Sequence, residues 1–280
     1  MEPWEPIAVE QLLAEEEPEY VWLIPGLLEE KDRVIFTGNE GLGKSTLIRQ
    51  FGWQVACGIN PFTLEEMEPQ PVLLVDFENP RRLIKRALNR LKTVRVPERG
   101  MLNVLSYPSG MDFTRADDKM RMQTALAMAK PKLVVGGPMY KMAPDLTTEE
   151  VSAQLQEQLD LWREQFGFAL MLEAHQPQET ITQTEKYRPA RPYGSSLWRR
   201  WPEFGLCLFN GGRLFHWRGD RDERDWPEQM RWGSEDEWPW IVGKAKCLHC
   251  GKELGPGQDK YCDERCGNAH RQARFRNRRN

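Results

Sequence analysis

The feature that most restricts the fold of this 280-residue chain is a glycine-rich run near its start. The run Gly38-Asn39-Glu40-Gly41-Leu42-Gly43-Lys44-Ser45 matches the phosphate-binding pattern G-x-x-x-x-G-K-S/T. An apolar segment at 34–37 precedes the run and a helical pattern follows it, which is the strand, loop and helix context that the pattern requires. The chain is therefore predicted to be an α/β protein built around a phosphate cradle.

The residue types of the cradle indicate which ligand it binds. Glycines let the backbone wrap an anion, and the amides at a helix N-terminus point at it. Lys44 is predicted to neutralise the β and γ phosphates, Ser45 is predicted to offer its hydroxyl to Mg²⁺, and Thr46 completes the predicted binding run. We therefore predict a site for ATP with Mg²⁺.

Short apolar runs alternate with helical patterns after the cradle, which is typical of βα units around a largely parallel sheet. After Pro192 the pattern changes to two aromatic-rich runs joined by Asn210-Gly211-Gly212, which predicts an antiparallel extension of the sheet. The predicted strands are 34–37, 72–77, 101–106, 133–135, 168–174, 204–209 and 213–217.

Titratable residues follow two of these strands. Asp76 and Glu78 project to the same side because side chains alternate along a strand, and His175 follows the strand at 168–174. Open α/β sheets bind ligands at the carboxyl ends of their strands, so Asp76 is predicted to contact the nucleotide site. The alternatives are acids that solvate a strand end and cap the next helix, and a structural histidine.

The strand at 133–135 leads into Gly136-Gly137-Pro138, where P-loop enzymes usually carry the Walker B aspartate that helps to bind Mg²⁺. Gly137 occupies that position instead. Two ways of binding Mg²⁺ stay open: Asp76 through a water molecule, or mainly Ser45 with the phosphates.

Four of the six cysteines form a cluster near the end of the chain. Their spacing is Cys-x2-Cys-x11-Cys-x3-Cys, which allows four thiolates to surround one Zn²⁺. His249 and His270 are alternative ligands, whereas Cys57 and Cys207 stand in apolar stretches and are predicted to be buried thiols. The predicted zinc ligands are Cys247, Cys250, Cys262 and Cys266.

The formal net charge of -3 conceals an uneven distribution. Residues 1–30 contain nine Glu and no Lys or Arg, whereas residues 265–280 contain six Arg and no acid. Six arginines without an acid favour binding to nucleic acid through its phosphates, and the alternative is a solvated basic tail.

Several motifs together resemble the RecA-like ATPases related to the RepA and DnaB hexameric helicases, and most closely the AAA-type ATPases of actinobacterial phages and prophages. The resemblance extends from about Trp22 to Trp240. Its motifs lie at 22–28, 38–45, 75–79, 137–141, 173–175 and 194–205, and the Gly-Pro at 137–138 belongs to the phage-type subgroup.

The resemblance implies roles for individual residues. Glu78 would be the catalytic glutamate that activates water, and His175 would be the sensor at the end of its strand. Arg218 or Arg221, with Arg199 and Arg200 next, would be the arginine finger that reaches the nucleotide of the neighbouring subunit. The cysteine pattern resembles small treble-clef zinc fingers.

In motors of this family, the loop after the sensor strand lines the channel that binds DNA. The corresponding segment here, 176–193, mixes basic and aromatic residues that are able to contact phosphates and stack on bases, and the alternative is a plain loop. These residues are Lys186, Arg188, Arg191, Tyr187 and Tyr193.

The sequence thus predicts three parts: an acidic arm at 1–21, a RecA-like P-loop NTPase domain at 22–243, and a zinc finger with an arginine-rich tail at 244–280. The expected function is that of a DNA-dependent ATPase motor, a helicase of phage or plasmid origin that forms a hexameric ring and binds single-stranded DNA. A recombination mediator, a helicase loader and a nucleotide-regulated adaptor with little turnover are the alternatives.

No apolar stretch approaches the ~20 residues that span a bilayer, and the start of the chain lacks the pattern of a signal peptide. We therefore expect a cytoplasmic protein without a membrane partner.

Overall fold

The structure is a computed structural model. It describes residues 6–16, 20–177, 180–181, 186–187, 189–219, 224–234, 236–244, 247, 249–254, 258 and 261–277. The helices are α1 Val9–Leu12, α2 Lys44–Ala56, α3 Arg81–Lys92, α4 Ala116–Ala129, α5 Glu149–Phe166 and α6 Glu264–Asn277. The strands are β1 Trp22–Ile24, β2 Leu28–Glu29, β3 Arg33–Gly38, β4 Val72–Asp76, β5 Leu102–Ser106, β6 Leu133–Gly137, β7 Ala169–Glu173, β8 Thr180–Ile181, β9 Lys186–Tyr187, β10 Phe204–Leu208, β11 Leu214–Arg218, β12 Met230–Trp232 and β13 Trp240–Val242.

A seven-stranded sheet organises the fold, in the order β11-β10-β3-β7-β6-β4-β5. Its neighbouring strands from β10 to β5 pair in parallel, and β11 pairs antiparallel with β10. The predicted α/β class, with a mostly parallel sheet and an antiparallel extension, is confirmed. β7 lies between the cradle strand β3 and β6.

Both faces of the sheet are covered, which explains why the central strands are apolar along their whole length. Alternate residues of β4 enter two different cores: Val72 and Leu74 pack on the face that carries α2, and Leu73 and Val75 pack on the face that carries α4 and α5. This packing leaves the carboxyl ends of the parallel strands to form one edge. Cross-strand pairs at this edge include Gly38 with Leu208, Phe36 with Glu173, and Asp76 with Gly137.

The end of β6 approaches its neighbouring strands too closely to carry a side chain. Gly136 and Gly137 have φ angles of +137° and +149°. A Cβ atom on Gly136 would overlap the carbonyl oxygen of Val75, and one on Gly137 would lie 2.8 Å from the carbonyl oxygen of Glu173. The glycine at the Walker B position is therefore a requirement of the backbone path.

The remaining strands flank this core. The pair β12 and β13 packs against α2, where the main chain of Trp240 exchanges hydrogen bonds of 2.8 and 2.6 Å with the side chain of Gln50. β1 begins at Trp22 and β13 ends at Val242, and the predicted domain division at 21 and 243 stays a prediction. Among the described residues, no helix is long and apolar enough to cross a membrane.

We predict that Gly136→Ala lowers the free energy of unfolding by more than about 3 kcal/mol, because it adds both backbone strain and overlap with Val75. Gly167→Ala is the matched control: Gly167 also has a positive φ, but nothing lies within 4 Å of its missing Cβ, so a loss of about 1 kcal/mol is expected. Chemical denaturation followed by tryptophan fluorescence measures both changes. Equal losses in the two variants would contradict the argument.

Candidate functional site

The predicted phosphate cradle connects β3 to the first residue of α2. Gly41 and Gly43 have φ angles of +77° and +88°, which glycine adopts without strain. Gly43 is the N-cap of α2, and its carbonyl oxygen accepts hydrogen bonds from the Leu47 N–H at 3.0 Å and from the Trp240 indole at 3.2 Å. The loop therefore presents a free helix N-terminus, which attracts anions.

Two tryptophans support the outer side of the cradle. The rings of Trp232 and Trp240 stack with a centroid distance of 4.2 Å, and a Cβ on Gly43 would lie 2.6 Å from the Trp232 ring. The guanidinium of Arg90 lies 5.9 Å from the centroid of Trp232. β12 and β13 are far from the cradle along the chain, so this contact depends on tertiary packing.

Lys44 and Ser45 share one carboxylate partner, Glu173 at the end of β7. The Lys44 Nζ lies 3.2 Å from Glu173 Oε1, and the Ser45 hydroxyl donates to the same oxygen at 2.9 Å. Lys44 and Glu173 are only 4% and 8% exposed, so this is a buried ion pair. Sequence reasoning missed Glu173, although the argument used for Asp76, an acid at a strand's carboxyl end, applies to it equally.

Asp76 lies on the edge where it was predicted, but other residues occupy both of its carboxylate oxygens. Oδ1 accepts the backbone N–H groups of Glu78 at 3.1 Å and Asn79 at 2.8 Å, and Oδ2 accepts from Arg49 at 2.7 Å. These contacts fit the alternative, in which the acid organises the turn before α3. A role for Asp76 in binding Mg²⁺ stays a prediction.

Glu78, Tyr140 and His175 form a second group along the same edge. The Tyr140 hydroxyl donates a hydrogen bond to Glu78 Oε1, and the Tyr140 ring lies 5.2 Å from the His175 ring. Burial and the hydrogen bond to Glu78 raise the pKa of Tyr140 to about 12, so its hydroxyl stays protonated at neutral pH. Sequence reasoning quoted Tyr140 within a motif but assigned it no role.

The environment of His175 favours its neutral form. Burial, and then the positive charge of Lys44, lower the pKa of His175 below its usual value of 6.5. At neutral pH the imidazole is therefore uncharged and offers one donor and one acceptor nitrogen. This is the form that suits a hydrogen-bonding sensor.

Ser45 and Glu173 from the first group and Glu78 from the second line one cleft. Gly136, Gly137 and Pro138 line it, and its polar side chains come from Ser45, Arg49, Asp76, Glu78, Asn79 and Glu173. The structure thus brings together the predicted Ser45, Asp76 and Glu78 beside Lys44.

None of the predicted arginine fingers that the structure describes, Arg199, Arg200 and Arg218, lines this cleft. Arg218 pairs with Gly205 at the amino end of the parallel strands, and its Nε donates to the carbonyl of Pro202 at 2.6 Å. Arg199 and Arg200 are exposed, and Arg221 lies outside the described residues. Arg218 therefore lies toward the edge opposite its own cradle.

The loop at 176–193 is attached to the site at both ends. The Tyr193 N–H donates to the His175 carbonyl at 2.7 Å, and the Thr37 hydroxyl donates to the Ala190 carbonyl. Gln176 is buried and donates to the Pro189 carbonyl at 2.9 Å. Arg188 lies outside the described residues, as do the side chains of Lys186 and Tyr187.

The four clustered cysteines converge as predicted. All four sulfurs lie within 4.8 Å of one another, and Cys262 is 3.6 Å from Cys250 and 3.5 Å from Cys266. Sulfurs around a tetrahedral Zn²⁺ are about 3.8 Å apart, so the donor set fits this ion. His270 instead lies beside the Tyr261 ring, at 5.5 Å.

The cluster is built from two local structures. A turn closed by the Gly251 N–H and the Cys247 carbonyl, at 2.9 Å, supplies the first two sulfurs. The other two come from Cys262, just before α6, and Cys266, in its first turn, where Asp263 accepts the Cys266 N–H at 2.7 Å. The other two cysteines, Cys57 and Cys207, are buried and free, as predicted, and burial raises the pKa of each thiol to about 11.

Comparison with known proteins adds the following findings. Residues 3–180 match the sequence model of a family described as AAA domain. No curated protein matches the sequence. A solved structure with a similar chain is that of a KaiC-like protein from the hyperthermophilic archaeon Pyrococcus horikoshii OT3, at 14% identity and a TM-score of 0.49, covering 79% of this chain and 93% of that one.

We predict that Cys266→Ser reduces bound zinc from one ion per chain to less than about 0.1, because a hydroxyl replaces one of four thiolates. Helicity from α6 should fall with it, since metal binding and folding are coupled in so small a unit. Cys57→Ala is the control, because that buried thiol lies outside the cluster. Zinc analysis and circular dichroism give the measurements, and protein purified natively without zinc would refute the site.

We predict that Tyr140→Phe lowers the kcat of ATP hydrolysis about tenfold with little change in KM, because a hydrogen bond to a charged group is worth about 1.5–3 kcal/mol and this one positions Glu78. Tyr20→Phe is the control, since Tyr20 is exposed and distant in the chain from the cleft. Steady-state kinetics separate kcat from KM. An unchanged kcat would show that Glu78 does not depend on Tyr140.

Proposed function

Because the chain belongs to the AAA domain family and has a P-loop ATPase fold, we propose that it is a DNA-dependent ATPase motor of the RepA and DnaB helicase type. The family membership covers ATP binding and hydrolysis. The proposal goes further in three respects: the coupling to DNA, the ring assembly and the roles of individual residues.

The residues at the cleft account for hydrolysis as follows. Lys44 exchanges its Glu173 partner for the β and γ phosphates when ATP binds, and the amides of the cradle hold the same oxygens. Ser45 would hold Mg²⁺, which when bound would neutralise charge on these phosphates. Glu78, held by Tyr140, orients a water molecule and accepts its proton as the oxygen attacks the γ phosphorus and the bond to ADP breaks.

The observation that carries the coupling to DNA is the attachment of the 176–193 loop to the ATP site. Thr37 immediately precedes the cradle and contacts Ala190, and His175 contacts Tyr193 through the main chain. Changes at the γ phosphate can therefore reach the C-terminal end of this loop through direct hydrogen bonds. Its composition, basic with tyrosines, suits single-stranded nucleic acid.

The C-terminal module supports the same proposal. The cysteine cluster would hold Zn²⁺ at the start of α6. Arg265, Arg271, Arg274 and Arg276 belong to this helix, and Arg278 and Arg279 follow it in the sequence. Such a cluster binds phosphates without reading bases. We infer that it increases the affinity for DNA without adding sequence specificity.

The placement of the arginines supports the proposed ring assembly. Arg49, which lines the cleft, is paired with Asp76 at 2.7 Å. Arg218 lies toward the opposite sheet edge, where it is exposed and its Nε donates to the Pro202 carbonyl. An arginine supplied in trans would complete the site and make hydrolysis depend on assembly.

A nucleotide-regulated DNA-binding adaptor is the second candidate. The observation that favours it is the glycine at position 137, because a P-loop protein without the usual aspartate is able to bind ATP and turn it over slowly. The two candidates differ in turnover and in its response to DNA.

We predict that single-stranded DNA stimulates ATP hydrolysis about tenfold or more, and that the stimulation weakens as salt rises because phosphate contacts are screened. Lys44→Ala should lower the stimulated rate by about 10²–10³-fold, as expected for loss of a charge that stabilises the transition state. Lys92→Ala, at the exposed end of α3, is the control.

A coupled assay of phosphate release measures all these rates. ATP binding with negligible turnover, with or without DNA, would favour the adaptor over the motor. Hydrolysis by Lys44→Ala at the wild-type rate would refute the assigned site.

A further inference from the structure

We propose that Glu173, at the end of β7, supplies the protein carboxylate for Mg²⁺ that P-loop ATPases usually carry on the strand corresponding to β6. The inference rests on the proposed binding and hydrolysis of ATP at the cleft. It identifies Glu173 as the residue that makes the Mg²⁺ contact for which Gly137 has no side chain.

The first step is that the end of β6 cannot supply this carboxylate. A Cβ on Gly137 would lie 2.8 Å from the carbonyl oxygen of Glu173 and 3.2 Å from its Cβ. The φ angle of +149° is also one that residues with side chains rarely adopt. An aspartate at this position would therefore displace the end of β7.

The second step is that Glu173 already contacts the hydroxyl that binds the metal in P-loop proteins. Its Oε1 lies 2.9 Å from the Ser45 hydroxyl. Adjacent oxygen ligands of an octahedral Mg²⁺, each at 2.0–2.1 Å from the ion, are about 3 Å apart. The separation of the two oxygens therefore fits neighbouring corners of one coordination shell.

The other carboxylates of the cleft have partners outside the cradle. Asp76 accepts hydrogen bonds at both oxygens, from Arg49 and from the turn at 78–79. Glu78 is exposed and is bound to the Tyr140 hydroxyl. Glu173 is the carboxylate whose partners, Lys44 and Ser45, belong to the cradle itself.

Glu173 has a second role before nucleotide binds, which is to neutralise Lys44. Both side chains are buried, and a buried charge is costly unless it is paired. When Lys44 pairs with the phosphates, Glu173 loses its cationic partner. The Mg²⁺ that accompanies the nucleotide would replace it. One carboxylate would thus neutralise lysine in the empty site and the metal in the filled one.

A test must separate metal binding from simple neutralisation of Lys44. We would measure the Kd of a fluorescent ATP analogue with Mg²⁺ and with EDTA, for the wild type, Glu173→Gln and Glu78→Gln. Glu78→Gln is the matched control, because it removes a carboxylate from the same cleft without touching Ser45. A titration of Mn²⁺ with ADP, followed by electron paramagnetic resonance, gives the metal affinity without turnover.

We expect Mg²⁺ to strengthen nucleotide binding by the wild type, and Glu173→Gln to reduce that enhancement and the Mn²⁺ affinity by about tenfold or more. Glu78→Gln should leave the Mg²⁺ enhancement and the Mn²⁺ affinity within about twofold of their wild-type values. If Glu173→Gln does not fold, as judged by circular dichroism, Glu173→Asp replaces it, because the shorter side chain keeps the charge and withdraws it from Ser45.

The outcomes distinguish the two proposals. Glu173→Gln could bind the ATP analogue more tightly than the wild type by the same factor with Mg²⁺ and with EDTA, and keep the wild-type Mn²⁺ affinity. That result would mean that Glu173 only neutralises Lys44, and it would overturn this inference alone. A wild type that binds no ATP analogue under either condition would overturn the proposed function and this inference together.

Discussion

The buried ion pair between Lys44 and Glu173 is the interaction on which the arrangement of the site depends. A lysine this deeply buried needs a compensating charge, and the carboxylate that provides it comes from a strand about 130 residues farther along the chain. The pair therefore ties the start of α2 to the carboxyl end of β7. Because β7 lies beside β3 in the sheet, the cradle and the end of β7 are held together before any nucleotide is present.

Local patterns in the sequence were sufficient for the seven strands of the main sheet and for the two binding motifs. The alternation of apolar runs and amphipathic segments located the strands, and fixed spacings identified the cradle and the four cysteines, because both patterns are confined to short stretches of chain. Glu173, Tyr140 and Trp232 were not identified as site residues. Their positions depend on strand order and on how distant segments pack, and neither property is encoded in the spacing of neighbouring residues.

The placement of β7 between β3 and β6 is an example of such a tertiary property. Sequence order alone does not show which strand end lies nearest to Ser45. The predicted sources of a metal carboxylate were therefore the ends of β4 and β6. In the folded chain the nearest carboxylate is on β7. The same placement attaches the 176–193 loop directly to the cradle strand, through Thr37.

The two glycines that end β6 also limit how this site can change. In many proteins a single substitution of glycine by aspartate can add a carboxylate at a new position. Here the backbone atoms of Val75 and Glu173 occupy the space that such a side chain would need. Conversion to the usual arrangement would require β4, β6 and β7 to separate at their ends, and no single substitution achieves that. The chain is thus confined by its main-chain path to variants in which the acidic group comes from elsewhere.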